Sequence, residues 1–430
     1  MPVTGRGASD VPQVLRSPAR YKTCLWRIAN IGCTGTVGEA AEGETMKLRP
    51  GSPEDVGIPL ARTQVLRDLG NRLIDEGQLS ALVAMVARRG TIFFDESFGR
   101  LDPSREDPPQ KNTLFPWGSA SSLITVSAAM VLVDDGLLGL NRPVSSYIPE
   151  FRGEGKEHIF VHHLLAHSSG IRDDEMDLPN LIGGLSQGSQ ETEVDPAGRD
   201  QHPAIREFLN RTYETPLQRA PNTEMSQGHY TMELLGEIIR RVSGKTLPEF
   251  ARERIFEPLG MRDTTFTVPA SEKGRVITHP NPHPFFEFAR NLTVPWASLS
   301  VFTSPQDMFV FGQMFLNGGR YGDTRVLSRA AVSEMTQDQV PGLSAQFRDE
   351  FIPDASWGLG WNVHGKKRAL GDGSLQSPKA FYQGNAGGPF LWVDPVYGIV
   401  GIYFSLVLKH IEEEWPGDLF MNAVTASCED

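Results

Sequence analysis

Ser119 is the residue whose type and position first suggest chemistry. It lies in the stretch FPWGSASSLITVSAAMVLVDDGLLGL, just before a predicted amphipathic helix that Gly136 ends in a left-handed conformation. One face of that helix is apolar: Ile124, Ala128, Val131 and Leu132. A serine at a helix N-terminus can act as a nucleophile, because first-turn N–H groups stabilise an adjacent oxyanion. The same position also suits a serine that only caps the helix, and both interpretations stay open.

Two histidines are spaced as metal ligands would be, but their context argues against a metal. His279 and His283 are four residues apart in THPNPHP, whose three prolines prevent a helix that would present both rings on one face. We therefore predict no metal and no cofactor.

The elements that must position Ser119 follow from periodicity and turn residues. A helix is predicted over about 62–78, and the run ALVAMVARRGTIFFDESFG predicts a hairpin about an Arg-Arg-Gly turn. A later helix ends at Gly244 and carries an apolar stripe: Leu235, Ile238, Ile239 and Val242. Ser304, Pro305 and Asp307 mark the start of another helix.

The order of these patterns predicts an α+β fold, with an antiparallel sheet built from both chain ends, flanked by helices. The final 75 residues contain β-rich runs and then a helical stretch from about 417. We expect residues 46–115 and 295–430 to form an α/β sandwich domain with the sheet, and residues 116–294 to form an inserted, mostly helical domain. A catalytic cleft is expected between them.

Composition excludes several functional classes. The chain has 430 residues, a net charge of −12 and a pI near 5.4, which argues against a nucleic-acid or anionic-membrane partner. No apolar run approaches the roughly 20 residues of a membrane span. Three cysteines near the chain ends favour a reducing compartment, so we expect a cytoplasmic protein. Residues 1–45 predict a disordered extension, with an organelle transit peptide as the alternative.

Several longer strings resemble the serine β-lactamase and penicillin-binding-protein superfamily, in particular its class C β-lactamase, esterase and transesterase branch. They are GSASSLITVSAAMVLVDDGLLGLNRPVSSYIPEF, VHHLLAHSSGI, PNTEMSQGHYTMELLGEIIRRVSGK, IFEPLGM and FYQGNAGGPFLWVDP. The resemblance implies a β-lactamase/transpeptidase-like fold. It also implies that His162, His163 and His167 belong to a structural helix and turn and bind no metal.

The resemblance also implies three catalytic motifs, each of which is altered here. The motif S-x-x-K, a nucleophilic serine one turn before a lysine base, becomes Ser119-Ala-Ser-Ser122. An ungapped match then assigns Gln227 to the tyrosine position of Y-x-N and His229 to the asparagine position. Tyr230 would reach the site only after a register slip.

The third motif, H-T-G or K-T-G on the strand that edges the cleft, becomes Asn385-Ala-Gly387. The resemblance implies that the backbone N–H of the following Gly388 pairs with that of Ser119 as an oxyanion hole. The backbone half of the machinery is thus expected to be intact, whereas the groups that handle protons are replaced.

Three hypotheses follow. Ser119 could act by acyl transfer or hydrolysis on a small ester, thioester or amide, with His229 as a new general base beside Ser122, Gln227, Asn385 and Gly388. Alternatively, His229 could run a proton transfer without an acyl-enzyme, in an isomerase, lyase or cyclase. The chain could also be an inactive binding pseudoenzyme. We expect no β-lactamase activity, because Ser122 has neither the charge nor the basicity of lysine. The oligomeric state stays open.

Overall fold

The described part of the chain combines short strands and helices. The computed structural model describes residues 46–428 apart from 105, 177, 189–200, 281–287, 289–290, 348–349, 367–372, 386 and 409–415. The strands are β1 (Arg49–Pro50), β2 (Leu79–Arg88), β3 (Thr91–Gly99), β4 (Phe115–Pro116), β5 (Phe302–Thr303), β6 (Arg320–Tyr321), β7 (Thr324–Arg325), β8 (Ala345–Phe347), β9 (Glu350–Ile352), β10 (Asn362–Val363), β11 (Phe381–Gly384), β12 (Phe390–Asp394) and β13 (Ile399–Val407). The helices are α1 (Leu60–Asp75), α2 (Ser122–Asp134), α3 (Val161–Leu165), α4 (Leu178–Gly188), α5 (Pro203–Thr212), α6 (His229–Ser243), α7 (Leu247–Ala251), α8 (Glu257–Leu259), α9 (Pro305–Leu316), α10 (Arg329–Met335) and α11 (Gly417–Thr425).

The main sheet is built from both ends of the described chain. Among the described residues its strand order is β1-β3-β2-β13-β12-β11-β10, and every pair is antiparallel except β1 with β3. The predicted hairpin is confirmed as β2 and β3, with Arg88 opposite Thr91. Arg89 and Gly90 form its two-residue turn with φ of 50° and 78°, as a turn that matches the strand twist requires.

Helices cover both faces of this sheet. Strand β2 alternates, since Val83 and Met85 pack with α2 and α9 on one face while Leu82 and Val86 pack with α1 and α11 on the other. The predicted antiparallel sheet flanked by helices is therefore confirmed, apart from the parallel pair of β1 with β3.

Helix α2 lies inside the protein, not at its surface. Every residue from Ser122 to Leu132 is at most 3% exposed. The prediction of an amphipathic helix was therefore wrong, because a helix that packs against α6 and α7 and against the sheet core has no solvent face. Its end was predicted correctly, since Gly136 follows in a left-handed conformation with φ of 73°.

Three further helix predictions are confirmed. Helix α6 ends at Gly244, whose φ is 73°. Helix α9 begins after Ser304, whose hydroxyl accepts the Asp307 N–H at 3.1 Å. Helix α11 begins at Gly417. Residues 1–45, the predicted extension, lie outside the described residues. Across the described ranges, no helix has both the length and the apolar character that crossing a bilayer requires.

We expect Gly401→Ala to destabilise the fold through the sheet core. Gly401 lies opposite Trp392, and a Cβ at residue 401 would approach the Trp392 ring to 2.1 Å. Overpacking of this kind costs roughly 1–3 kcal/mol, which urea unfolding would measure. Gly274→Ala is the matched control, because a Cβ there meets nothing within 4 Å. Equal stability of the two variants would contradict this account of the core.

Candidate active site

Ser119 lies in the 3₁₀ turn Gly118–Ser121, directly before α2. Its neighbours Gly118 and Ala120 are buried, whereas Ser119 itself is only half-buried. No side chain caps either this turn or α2, and the Ser119 hydroxyl makes no hydrogen bond among the described residues. The interpretation of Ser119 as a helix cap was therefore wrong.

Two hydrogen bonds connect the turn that carries Ser119 to Val301. The Trp117 N–H donates to the Val301 carbonyl at 2.7 Å, and the Val301 N–H donates to the Ser121 hydroxyl at 3.0 Å. Ser122, which stands where the motif lysine would be, donates its hydroxyl to the Ser119 carbonyl at 2.8 Å. Ser122 thus makes a local backbone bond and does not contact the Ser119 hydroxyl.

Asn385, directly after β11, lies beside the Ser119 turn. Its Nδ2 donates to the Pro116 carbonyl at 3.0 Å, and its Oδ1 accepts the Gly387 N–H at 2.5 Å. A Cβ at Gly118 would lie 3.4 Å from the Asn385 Cβ. Ser119 and Asn385 are therefore neighbours, and the Asn385 amide holds the end of the strand against the chain before Ser119.

Gly388 does not present its N–H as the sequence led us to expect. That N–H donates to the Asn385 carbonyl at 3.1 Å and closes a turn. Glycine is required there, since φ is 122° and a Cβ would lie 2.5 Å from the Ser405 carbonyl oxygen. The N–H that we assigned to an oxyanion hole is thus already bonded in this state.

His229 is the first residue of α6, so the expectation that it lies on a loop was wrong. Its backbone N–H donates to the Asp173 carboxylate, which also accepts the Tyr230 N–H at 3.4 Å. Asp173 belongs to the 3₁₀ turn Asp173–Glu175 and therefore satisfies the start of α6 from outside the helix.

The charges around His229 oppose one another. Burial lowers the pKa of His229 below its ordinary 6.5, while the Asp173 carboxylate raises it. Burial in turn raises the pKa of Asp173, and His229 lowers it. The neighbouring His167 accepts the Gly228 N–H at 3.4 Å, and burial together with His229 lowers the pKa of His167 to about 3. His167 is therefore neutral at physiological pH.

Gln227, at the tyrosine position of the second motif, and Tyr230, the nearest tyrosine, differ in environment. Gln227 is half-buried, and its side chain has no hydrogen-bond partner among the described residues. Tyr230 is 1% exposed, donates its hydroxyl to the Thr212 carbonyl at 2.9 Å, and packs against Phe208. Tyr230 is thus a residue of the core. This agrees with the ungapped register, which leaves Tyr230 outside the motif.

The sequence analysis did not identify Asp173, His167 or Glu233 as titratable residues in the surroundings of His229. Asp173 is 56 residues from His229, and no local pattern pairs the two. Glu233 could have been noticed, because it is an acid between the apolar Met232 and Leu234 on α6 and lies one turn after His229. Among the described residues, no group of three or more His, Cys, Asp or Glu side chains is arranged to hold a metal ion.

Comparison with known proteins decides the family. Residues 64–413 match the family described as Beta-lactamase. The chain belongs to the beta-lactamase family. The resemblance to the serine β-lactamase and penicillin-binding-protein superfamily is thereby confirmed, as is the predicted β-lactamase/transpeptidase-like fold.

Relatives within and around the beta-lactamase family have several described activities. Esterase EstB of Burkholderia gladioli is 30% identical over 216 residues, which span 49% of this chain and about half, 53%, of that esterase. A putative D-alanyl-D-alanine carboxypeptidase of Salmonella typhi is 25% identical over 324 residues, 66% of this chain and 67% of the relative. The structure of a penicillin-binding protein homologue from Caulobacter crescentus matches with a TM-score of 0.67 at 21% identity, covering 86% of this chain and 99% of that one.

We expect Asp173→Asn to lower the pKa of His229 further. The substitution removes the negative charge that raises this pKa and leaves the effect of burial unopposed. Titration of the histidine ring resonances by NMR would measure the change. Asp174→Asn is the control, because Asp174 is exposed and pairs with Arg172. An unchanged or raised His229 pKa in Asp173→Asn would show that the two groups do not interact.

Proposed function

We propose that this chain is a serine hydrolase or acyltransferase that acts on a small ester, thioester or amide, with Ser119 as the nucleophile. The observation that carries the proposal is the state of the Ser119 hydroxyl, which is half-buried, caps no helix and makes no hydrogen bond among the described residues. A serine kept at the end of a buried helix without a structural bond is available for chemistry.

The base that we propose is His229. Ser122 bonds to the Ser119 carbonyl and Gln227 does not titrate, so neither can replace the motif lysine or tyrosine. His229 is neutral at pH 7 because burial lowers its pKa. It would take the Oγ proton as Oγ attacks the substrate carbonyl, and then give that proton to the leaving group. The Asp173 carboxylate would stabilise the imidazolium that forms between these steps.

The oxyanion would be held by backbone donors near the Ser119 turn. We propose the Ser119 N–H as one of them. The Gly388 N–H could join only if its bond to the Asn385 carbonyl opened, so Gly388 is a conditional second donor. Asn385 and Gln227 would complete the polar lining. Water would then release the acyl group, or an alcohol or amine would accept it.

Family membership supports acyl chemistry in general, and the Burkholderia esterase makes a small ester the first substrate class to test. One observation favours a second candidate, a proton-transfer enzyme: His167, Asp173, His229 and Glu233 form a titratable cluster without any lysine. An inactive binding protein remains as the outcome if neither activity is found.

We expect a fluorophosphonate probe to form a covalent adduct on Ser119, detected by mass spectrometry of the intact protein and its peptides. Ser119→Ala should abolish the adduct, and His229→Asn should slow labelling by about 10²- to 10⁴-fold, the usual contribution of a general base. His162→Asn is the matched control, since that half-buried ring bonds the Leu140 carbonyl elsewhere in the fold. Absence of labelling at millimolar probe would exclude Ser119 as a nucleophile.

Turnover of an ester such as p-nitrophenyl acetate should collapse in Ser119→Ala if the reaction passes through an acyl-enzyme. Ser122→Ala is the control. It removes a nearby hydroxyl that donates to the Ser119 backbone carbonyl, and it should keep most of the activity. Activity of any kind that survives Ser119→Ala but not His229→Asn would instead support the proton-transfer candidate.

A further inference from the structure

One irregular segment, residues 296–301, lies between the helix that follows Ser119 and the helix that begins with His229. On the α6 side it is bonded by Glu233, one turn after His229 and only 1% exposed. The Glu233 carboxylate accepts the Ala297 N–H at 3.1 Å, the Ser298 N–H at 3.1 Å and the Ser298 hydroxyl at 2.9 Å. Three donors from one segment therefore converge on one buried side chain.

The same segment is bonded from the α2 side. The Thr125 hydroxyl donates to the Ala297 carbonyl at 2.6 Å, so residue 297 is held by both helices at once. Four residues later, Val301 bonds the Ser121 hydroxyl and the Trp117 N–H, on either side of Ser119. Hydrogen bonds at both ends of the segment, joined by its covalent backbone, thus connect Glu233 to the turn that presents Ser119.

Close packing reinforces these bonds. A Cβ at Gly236 on α6 would lie 3.1 Å from the Ala297 Cβ, so helix and segment are in direct contact. Burial and the negative charge of Asp173 raise the pKa of Glu233 to about 7, against an ordinary value of 4.5. Burying a carboxylate lowers the stability of the fold, because its charged form loses hydration.

We propose that Glu233 is a positioning residue for the Ser119–His229 reaction: through Ala297, Ser298 and Val301 it fixes the separation of the two reacting side chains. This inference rests on the proposed function. Glu233 itself touches no reacting atom. Its effect arises because His229 and Glu233 share one rigid helix, so a shift of the 297–298 bonds moves the base relative to the nucleophile.

The first test measures the rate of fluorophosphonate labelling at Ser119 in the full chain, per folded molecule. Glu233→Gln keeps the shape but places an amide N–H₂ against donors, and Thr125→Val removes the hydroxyl on the other side. We expect each to slow labelling by about 10- to 100-fold, the scale that a misplacement near 1 Å produces. The double variant should lose less than the product of the two factors, because both act through residue 297.

Glu237→Gln is the matched control. Glu237 lies one turn further along α6, is 2% exposed, and pairs with Arg240 and Arg241, away from the 296–301 segment. It should lower the unfolding temperature while labelling stays within about twofold of the wild type. The proposal would be overturned if the Glu233→Gln labelling rate also stayed within about twofold of the wild type. It would also be overturned if the double variant lost the full product of the Glu233→Gln and Thr125→Val factors.

Hydrogen exchange separates this inference from the proposed function. Glu233→Gln, but not Glu237→Gln, should speed amide exchange both at 297–298 and in the 117–121 turn. Faster exchange confined to 297–298 would overturn the positioning role, since nothing would then reach Ser119. If wild-type Ser119 takes up no probe, the proposed function fails, and the exchange pattern still decides whether Glu233 holds the turn.

Discussion

Helix α2 has no solvent-exposed face, and this constraint determines how the site is built. A buried polar side chain on such a helix can find a hydrogen-bond partner only inside the protein. Ser121 bonds Val301, Ser122 bonds the Ser119 carbonyl, and Thr125 bonds Ala297. These hydroxyls therefore connect α2 and the turn before it to their surroundings. Ser127, on the same helix, is buried without a hydrogen-bond partner among the described residues, whereas Ser119 is half-buried and is the serine that we propose for chemistry.

The serine in place of the motif lysine is the reason why the base would come from another helix. A lysine at position 122 would place its ammonium group on a residue that is now 3% exposed, where a charge needs a partner. The serine needs none beyond a carbonyl. At the start of α6 the helix dipole disfavours a protonated histidine, as burial does, and Asp173 opposes both. The proton-handling function would thus be carried by α6 and the turn at 173.

Local signals in the sequence predicted local structure well. The Arg89-Gly90 turn, the Ser304 cap and the glycine that ends α6 each depend on a few neighbouring residues. The amphipathic character of α2 was predicted wrongly because burial on all faces depends on which elements pack around a helix. For the candidate site, the register of known motifs predicts Ser119, His229 and Asn385. It could not find Asp173, whose bond to His229 joins distant parts of the chain.

The contribution of the Glu233 carboxyl to stability depends on pH. The pKa of Glu233 is about 7, above its ordinary 4.5, so its protonated form is the one that folding favours. Its contribution to stability is fully present below pH 4.5 and is lost as pH rises through about 7. Three donors converge on Glu233, and the ionised carboxylate can accept from all of them. Between pH 4.5 and about 7 the fold therefore loses stability as the ionised form of Glu233 becomes populated, which is the relation expected if, as we propose, this buried group serves the site.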